Sequence, residues 1–260
     1  MNDQPHPPAD AHAARQALAC LDLTSLVDGH DRSGGEADIE RLCARADGRC
    51  GRTAAVCVWP RLAGLARSLL PPDIRVAAVA NFPDGGSDSA RAVRDAAAIA
   101  DAGAQEVDVV MPYRDLAAAP ALLAAVRRAC EGLTLKVILE TGELADASLI
   151  TQAAQIALDA GADFLKTSTG KRPVSATPAA ARLLLQAIAD RPAHRARVGF
   201  KPAGGIRTVA DAAVYMALTA DVLGPEAVTP ARFRIGASGL LDDIEAVLAG
   251  AQRPAAGSAY

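Results

Sequence analysis

Two lysines stand near the carboxyl ends of consecutive apolar segments, Lys166 in FLKTSTGK (164–171) and Lys201 in VGFKPAGGIRT (198–208), each just ahead of a glycine-containing turn. Moving an ammonium out of water is costly unless the group is paired or gives up its proton. On neighbouring strands each positive charge disfavours the other and desolvation adds to the effect, so one amine is neutral near neutral pH and free to attack a carbonyl. Glycine turns at the same strand ends supply backbone N–H groups of the kind that hold a phosphate. The pattern points to Schiff-base chemistry on a phosphorylated substrate. A structural ion pair or an exposed strand end would account for either lysine alone, and spacing does not say which of the two attacks.

Such lysines need strands to hold them, and the chain is organised to provide these. From about residue 18 to residue 249, short β-branched runs alternate with Ala/Leu-rich segments of helical period, which is the signature of repeated βα units. Eight strands are expected, at 18–23, 53–59, 74–81, 106–110, 135–139, 164–167, 198–201 and 234–237. Eight units in 260 residues favour an α/β fold of one closed parallel TIM (β/α)8 barrel over an open doubly wound sheet. The barrel is expected to occupy 15–250, between a disordered leader at 1–14 and a flexible tail at 251–260, which is poor in apolar bulk. Thr177 followed by Pro178 predicts a helix start. The segments DAGAQEVD (101–108) and DAGADFLK (159–166) echo each other, with Gly103 and Gly161 as left-handed helix ends and Asp108 and Lys166 at the same offset. They belong to strands four and six, and alternate strands feed the same inward layer, so the aspartate and the lysine should face each other inside.

Composition narrows the partners. Net charge is −3 with 22% charged residues and no basic block, which argues against a nucleic-acid surface. No apolar run approaches the roughly 18 residues that span a bilayer, and a cytoplasmic protein acting on a small molecule is expected. Cys20, Cys43, Cys50, Cys57 and Cys130 contain no CxxC pair and read as reduced, with Cys57 in AAVCVWP a small core residue. His6, His12, His30 and His194 show no ligand spacing, so no metal site is expected.

The segments EVDVVMPYRDL (106–116), LKVILETGEL (135–144), GADFLKTSTGK (161–171), VGFKPAGGIRT and RIGASGLLDDI (234–244) resemble the deoxyribose-phosphate aldolase family over most of the chain. The resemblance implies a class I aldolase on a TIM barrel, needing neither metal nor other cofactor, that cleaves 2-deoxyribose 5-phosphate reversibly to acetaldehyde and glyceraldehyde 3-phosphate. It implies that Lys166 is the Schiff-base lysine, that Asp108 and Lys201 handle protons, and that the terminal Tyr260 reaches the active site to assist proton transfer. It also places Asp22 and Thr24 of LDLTSL in the substrate pocket, where a capping role is an equally economical explanation.

Barrels of this kind usually take a phosphate on the loops after strands seven and eight. Gly204 and Gly205 follow strand seven; Gly236, Ser238 and Gly239 follow strand eight; Gly170 and Lys171 in the loop after strand six add N–H donors and a positive charge. Where this chain has Gly239 the family commonly has a second serine, so a hydroxyl donor is missing and the backbone donor remains. Lys136 reads as a structural ion pair, and Asn81 as a turn residue or a pocket residue. The expected partner is a phosphorylated sugar, with neither nucleic acid nor membrane; a homodimer is permitted by the sequence without being specified by it. The rivals are a transaldolase-like or keto-acid aldolase on the same barrel and a non-catalytic phosphate-binding barrel. The joint presence of Asp108, Lys166 and Lys201 argues against the last.

Overall fold

The computed structural model describes residues 9–27 and 32–250. Eight short strands form one parallel sheet: β1 (Leu21–Thr24), β2 (Ala55–Val58), β3 (Arg75–Ala80), β4 (Glu106–Val110), β5 (Thr134–Ile138), β6 (Phe164–Lys166), β7 (Gly199–Lys201) and β8 (Ile235–Ala237). From β1 to β7 each pairs with the next, and β8 pairs with β1. The circle closes between β7 and β8 through isolated parallel bridges at Phe200–Phe233 and Ala203–Gly236, with the Gly236 amide donating to the Pro202 carbonyl at 2.9 Å. The result is the TIM barrel that the alternation of elements predicts. Its strands read Val, Ile and Ala because both faces are buried, one against the helices and one in the interior.

The helices begin where capping chemistry starts them. Thr177 accepts the amide of Ala180 at 3.2 Å with Pro178 at the first helical position, as the sequence predicts. Thr208 and Asp211 form a reciprocal capping box ahead of Val209–Leu223. Gly103 and Gly161 take left-handed conformations, φ 76° and 84°, directly after the helices Ser89–Asp101 and Ala147–Asp159. Each returns the chain into a strand that carries a site residue.

The amino-terminal end moves the first strand from the expected 18–23 and, of the leader expected at 1–14, places residues 9–14 in a helix. A helix spans Ala9–Ala19 and packs on Leu240–Leu248 and Val209–Leu223. Its Ala14, Ala17 and Leu18 are buried, three and four residues apart, which is the apolar stripe of a docked helix rather than a leader. The strand therefore starts at Leu21. Residues 1–8 and the tail 251–260, with Tyr260, lie outside the described residues. No helix of the described residues is long and apolar enough to cross a membrane.

Candidate active site

Inward-facing positions on or beside six strands bring a charged network into the barrel. Asp108 on β4 is its centre. One carboxylate oxygen, Oδ2, accepts from Lys166 Nζ on β6 at 2.8 Å and from Lys201 Nζ on β7 at 2.7 Å; the other, Oδ1, accepts from Lys136 Nζ on β5 at 2.8 Å. Because the two strand-end lysines share one oxygen, their nitrogens stand no farther apart than those two bonds laid end to end. Asp108 and Lys166 face each other, as the echo between strands four and six predicts.

A second shell of pairs fixes this arrangement. Lys201 also donates to Asp22 on β1, and Arg234, one residue before β8, bridges Asp22 Oδ1 at 2.7 Å and Glu106 Oε1 at 2.8 Å. Lys136 donates to Glu106 as well, so this third strand lysine is the ion-paired residue expected. Four basic side chains thus meet three carboxylates in a region where none is more than 5% exposed. Unpaired buried charge is strongly unfavourable. The count balances when one basic group is a neutral amine.

The electrostatics assign the other members. Burial pushes the Asp108 carboxyl up, but Lys136, Lys166 and Lys201 outweigh it and hold the group well below the usual carboxylate range. Asp22 is likewise driven down, Lys201, Arg234 and Lys136 overcoming its burial. Burial opposes the ammonium of Lys201, yet Asp108 and Asp22 raise it above the ordinary lysine value. Lys201 is a fixed cation. Cys57 on β2 is fully buried with its Sγ 3.9 Å from Asp108 Oδ2; burial, helped by Asp108, pushes the thiol up, consistent with the core role expected for it.

Above the network opens a cavity of about 900 Å³. Lys166 lines it and Lys201 does not, so access separates two lysines that spacing left equivalent. Thr24, Gly170, Lys171, Gly204, Gly205, Gly236, Ser238 and Gly239, all expected at the substrate, line the same cavity. Gly204 and Gly205 are consecutive left-handed residues, φ 82° and 81°, a backbone that glycine adopts without a Cβ penalty, and the Gly204 amide donates to the Gly236 carbonyl at 3.4 Å. At Gly236 a Cβ would come within 3.1 Å of Lys201 Cε and 2.9 Å of Ala203 Cβ, so the cradle and the lysine approach closely only because the side chain is absent. Lys171 turns its amide inward to Thr169 Oγ1 at 3.1 Å and its Nζ to the Leu26 carbonyl at 2.8 Å; what it offers the cavity is charge rather than the expected N–H donor.

Two expected residues lie elsewhere. Asp22 does not line the cavity; fully buried, it orients Lys201 and Arg234. Asn81 follows β3 in the left-handed region, φ 52°, and its Nδ2 donates to the Gly86 and Val110 carbonyls at 2.8 and 2.9 Å, which is the turn role. Thr24 Oγ1 donates to the Asp22 carbonyl at 2.9 Å, so it caps the strand while facing the cavity. Sequence reasoning missed Glu106 and Arg234 as members of the network and Arg207 as a cavity residue. The signal for the first two was period-two spacing: Glu106 precedes Asp108, and Arg234 precedes Gly236, by two residues on one strand face.

Comparison with known proteins agrees with this geometry. The profile of the DeoC/LacD family aldolases matches residues 17–244. A deoxyribose-phosphate aldolase of Agrobacterium fabrum is 47% identical over 256 residues, covering 95% of this chain and 96% of its own. Among solved structures, the apo form of a candidate deoxyribose-phosphate aldolase from Toxoplasma gondii ME49 superposes with a TM-score of 0.82 at 25% identity, covering 94% of this chain and 99% of its own. One from Coccidioides immitis gives 0.76 at 28% identity over 94% and 88% of the two chains. The family match starts ahead of β1 and ends inside the final helix, so it takes in every side chain of the buried network, and the chain belongs to the DeoC/LacD aldolase family.

Proposed function

We propose that this enzyme cleaves 2-deoxy-D-ribose 5-phosphate reversibly to acetaldehyde and D-glyceraldehyde 3-phosphate through a Schiff base on Lys166. The observation that carries the proposal is the shared Asp108 oxygen with Lys166 alone of its two lysines open to the cavity. The amine of Lys166 adds to the C1 aldehyde of the open-chain sugar to give a carbinolamine, which loses water to form the iminium. The C3 hydroxyl then gives up its proton, the C2–C3 bond breaks, and its electron pair moves into the iminium to give an enamine as glyceraldehyde 3-phosphate leaves. Protonation at C2 and hydrolysis release acetaldehyde and restore the amine.

Network residues take defined parts in these steps. Lys166 leaves Asp108 Oδ2 as it turns to the aldehyde, and the direction it vacates on that oxygen accepts the carbinolamine hydroxyl or the departing water. Lys201 stays an ammonium beside the same oxygen and so presents a positive charge to Lys166 throughout the cycle. The iminium, once formed, faces a carboxylate already in place, which is stabilisation that needs no reorganisation.

An assay that couples glyceraldehyde 3-phosphate release to a dehydrogenase tests the proposal directly. Turnover of 2-deoxyribose 5-phosphate is expected, together with borohydride-dependent labelling by acetaldehyde. Labelling by pyruvate in place of acetaldehyde would reassign the chain to a keto-acid aldolase.

The phosphate is proposed to sit on Gly204, Gly205, Gly236, Ser238 and Gly239, with Gly170 and Lys171 completing the cradle. Ser238→Ala should raise KM for the phosphorylated sugar by about three- to tenfold, as expected for the loss of one hydrogen bond to a charged group, and more than for free deoxyribose. Equal effects on both sugars would reject the site. For Tyr260 the proposal is assistance in proton transfer at the acetaldehyde-derived carbon. Deleting it should slow solvent deuterium exchange into acetaldehyde while borohydride trapping persists, and unchanged exchange would remove it from the mechanism.

A further inference from the structure

One buried carboxylate near the cavity takes no part in the chemistry above. Glu140, the second residue after β5, is fully buried and sits in the left-handed region at φ 55°, ψ 56°, a conformation that is unfavourable for a residue with a Cβ and persists where the surroundings demand it. What it gains is a set of bonds to the loop after β6. Thr169 donates its hydroxyl to Glu140 Oε2 at 2.5 Å and its amide to both carboxylate oxygens at 3.3 Å. The same Thr169 oxygen accepts the amide of Lys171 at 3.1 Å. Glu140, Thr169 and Lys171 thus form one chain that brackets Gly170, itself left-handed at φ 76°, and Thr169, Gly170 and Lys171 all line the cavity.

Two further contacts show that the segment starting at Glu140 serves as a clamp on this loop. The Thr141 amide donates to the Thr167 carbonyl at 2.9 Å, one residue past Lys166. Gly142 lies so close under the loop that a Cβ there would stand 2.2 Å from the Val174 carbonyl oxygen. The loop is therefore bonded near its start by Thr141 and at its middle by Glu140, and packed closely on Gly142 near its far end, and Glu140 is the one that reaches the corner facing the cavity.

We infer that Glu140 is a positioning residue for recognition of the substrate's phosphorylated end: through Thr169 it fixes the Gly170–Lys171 corner against the cavity. The inference rests on the proposed phosphorylated-sugar site. It separates two tasks of one loop, since the same segment leaves Lys166 to the Asp108 network while the corner beyond it is set by Glu140.

The test compares 2-deoxyribose 5-phosphate and free 2-deoxyribose as substrates of the full-length enzyme. Thr169→Val keeps the side-chain shape and removes the hydroxyl; Glu140→Asn tolerates the left-handed backbone and is too short to reach Thr169. Each should raise the ratio of the two KM values, phosphorylated over free sugar, by about tenfold, with the change in KM rather than in kcat. Glu140→Gln retains a carbonyl oxygen able to accept both Thr169 donors, so its ratio should stay within about threefold of the wild type. Variants of Thr169 and Glu140 that keep the wild-type ratio would overturn the positioning role while leaving the phosphate site intact. A wild-type enzyme that handles both sugars equally would instead overturn the phosphate site, and the inference with it.

Discussion

Replacing Lys166 with methionine is expected to remove activity, by at least about 10⁵-fold in kcat, since the covalent path is closed and only binding and electrostatics remain. Borohydride trapping with acetaldehyde should vanish as well. The fold, by contrast, should persist: methionine fills a similar volume, and its introduction leaves three buried cations facing three carboxylates. The melting temperature of Lys166→Met is therefore expected to equal or exceed that of the wild type. Peptide mapping that found a reduced adduct on Lys201 would overturn the assignment, and an unfolded variant would overturn the charge count.

Lys201→Leu should behave in the opposite way. It removes the cation shared by Asp22 and Asp108. Activity should be reduced by about 10²- to 10³-fold. Stability should fall too, because a buried carboxylate loses a partner, at a cost of about 3–5 kcal/mol. The pH dependence has a definite sign. Asp22 and Asp108 are both held below the usual carboxylate value, so their stabilising effect is complete above the unfolded-state value of about 4 and is lost as pH falls toward the folded-state values. With Lys201 gone those values move up toward the unfolded-state one, so the variant has less stability left to lose on acidification and its melting temperature should fall less steeply below about pH 4 than that of the wild type. Melting curves recorded from neutral to acid pH check this, and parallel curves would argue against Lys201 as the cation that holds both groups.

Both lysines and Asp108 were legible in the sequence because each breaks a local rule: a charge inside an apolar strand has to be explained by a partner. The barrel was legible for a related reason, since eight alternations of period leave few ways to cover a parallel sheet. Strand ends were less so. The first strand is displaced because Ala14, Ala17 and Leu18 carry no β-branching, and only the docking of their helix decides between continuing a strand and ending a helix. Asp22 was placed at the substrate by resemblance, yet its depth is set by the register of β1 against β8, where it pairs with Gly236; no local signal encodes that. Glu140 shows the same limit, since its left-handed backbone and its bond to Thr169 arise from two loops separated by a whole βα unit.

The buried network also constrains how this barrel can change over generations. Asp22, Glu106, Asp108, Lys136, Lys201 and Arg234 hold one another's charge, so a mutation that neutralises one of them strands an opposite charge in a dry interior. Paths to a new activity that pass through such an intermediate carry a stability cost of about 3–5 kcal/mol. Open paths exchange an acid and a base together, or work from the cavity rim, where Ser238, Gly239 and the loop glycines carry no buried charge. A paired replacement such as Glu106→Gln with Lys136→Met should accordingly cost less stability than the sum of its single changes, a positive epistasis that a double-mutant cycle measures. Substrate range is thus free to drift at the mouth of the barrel while the lysine chemistry at its floor is locked by mutual compensation.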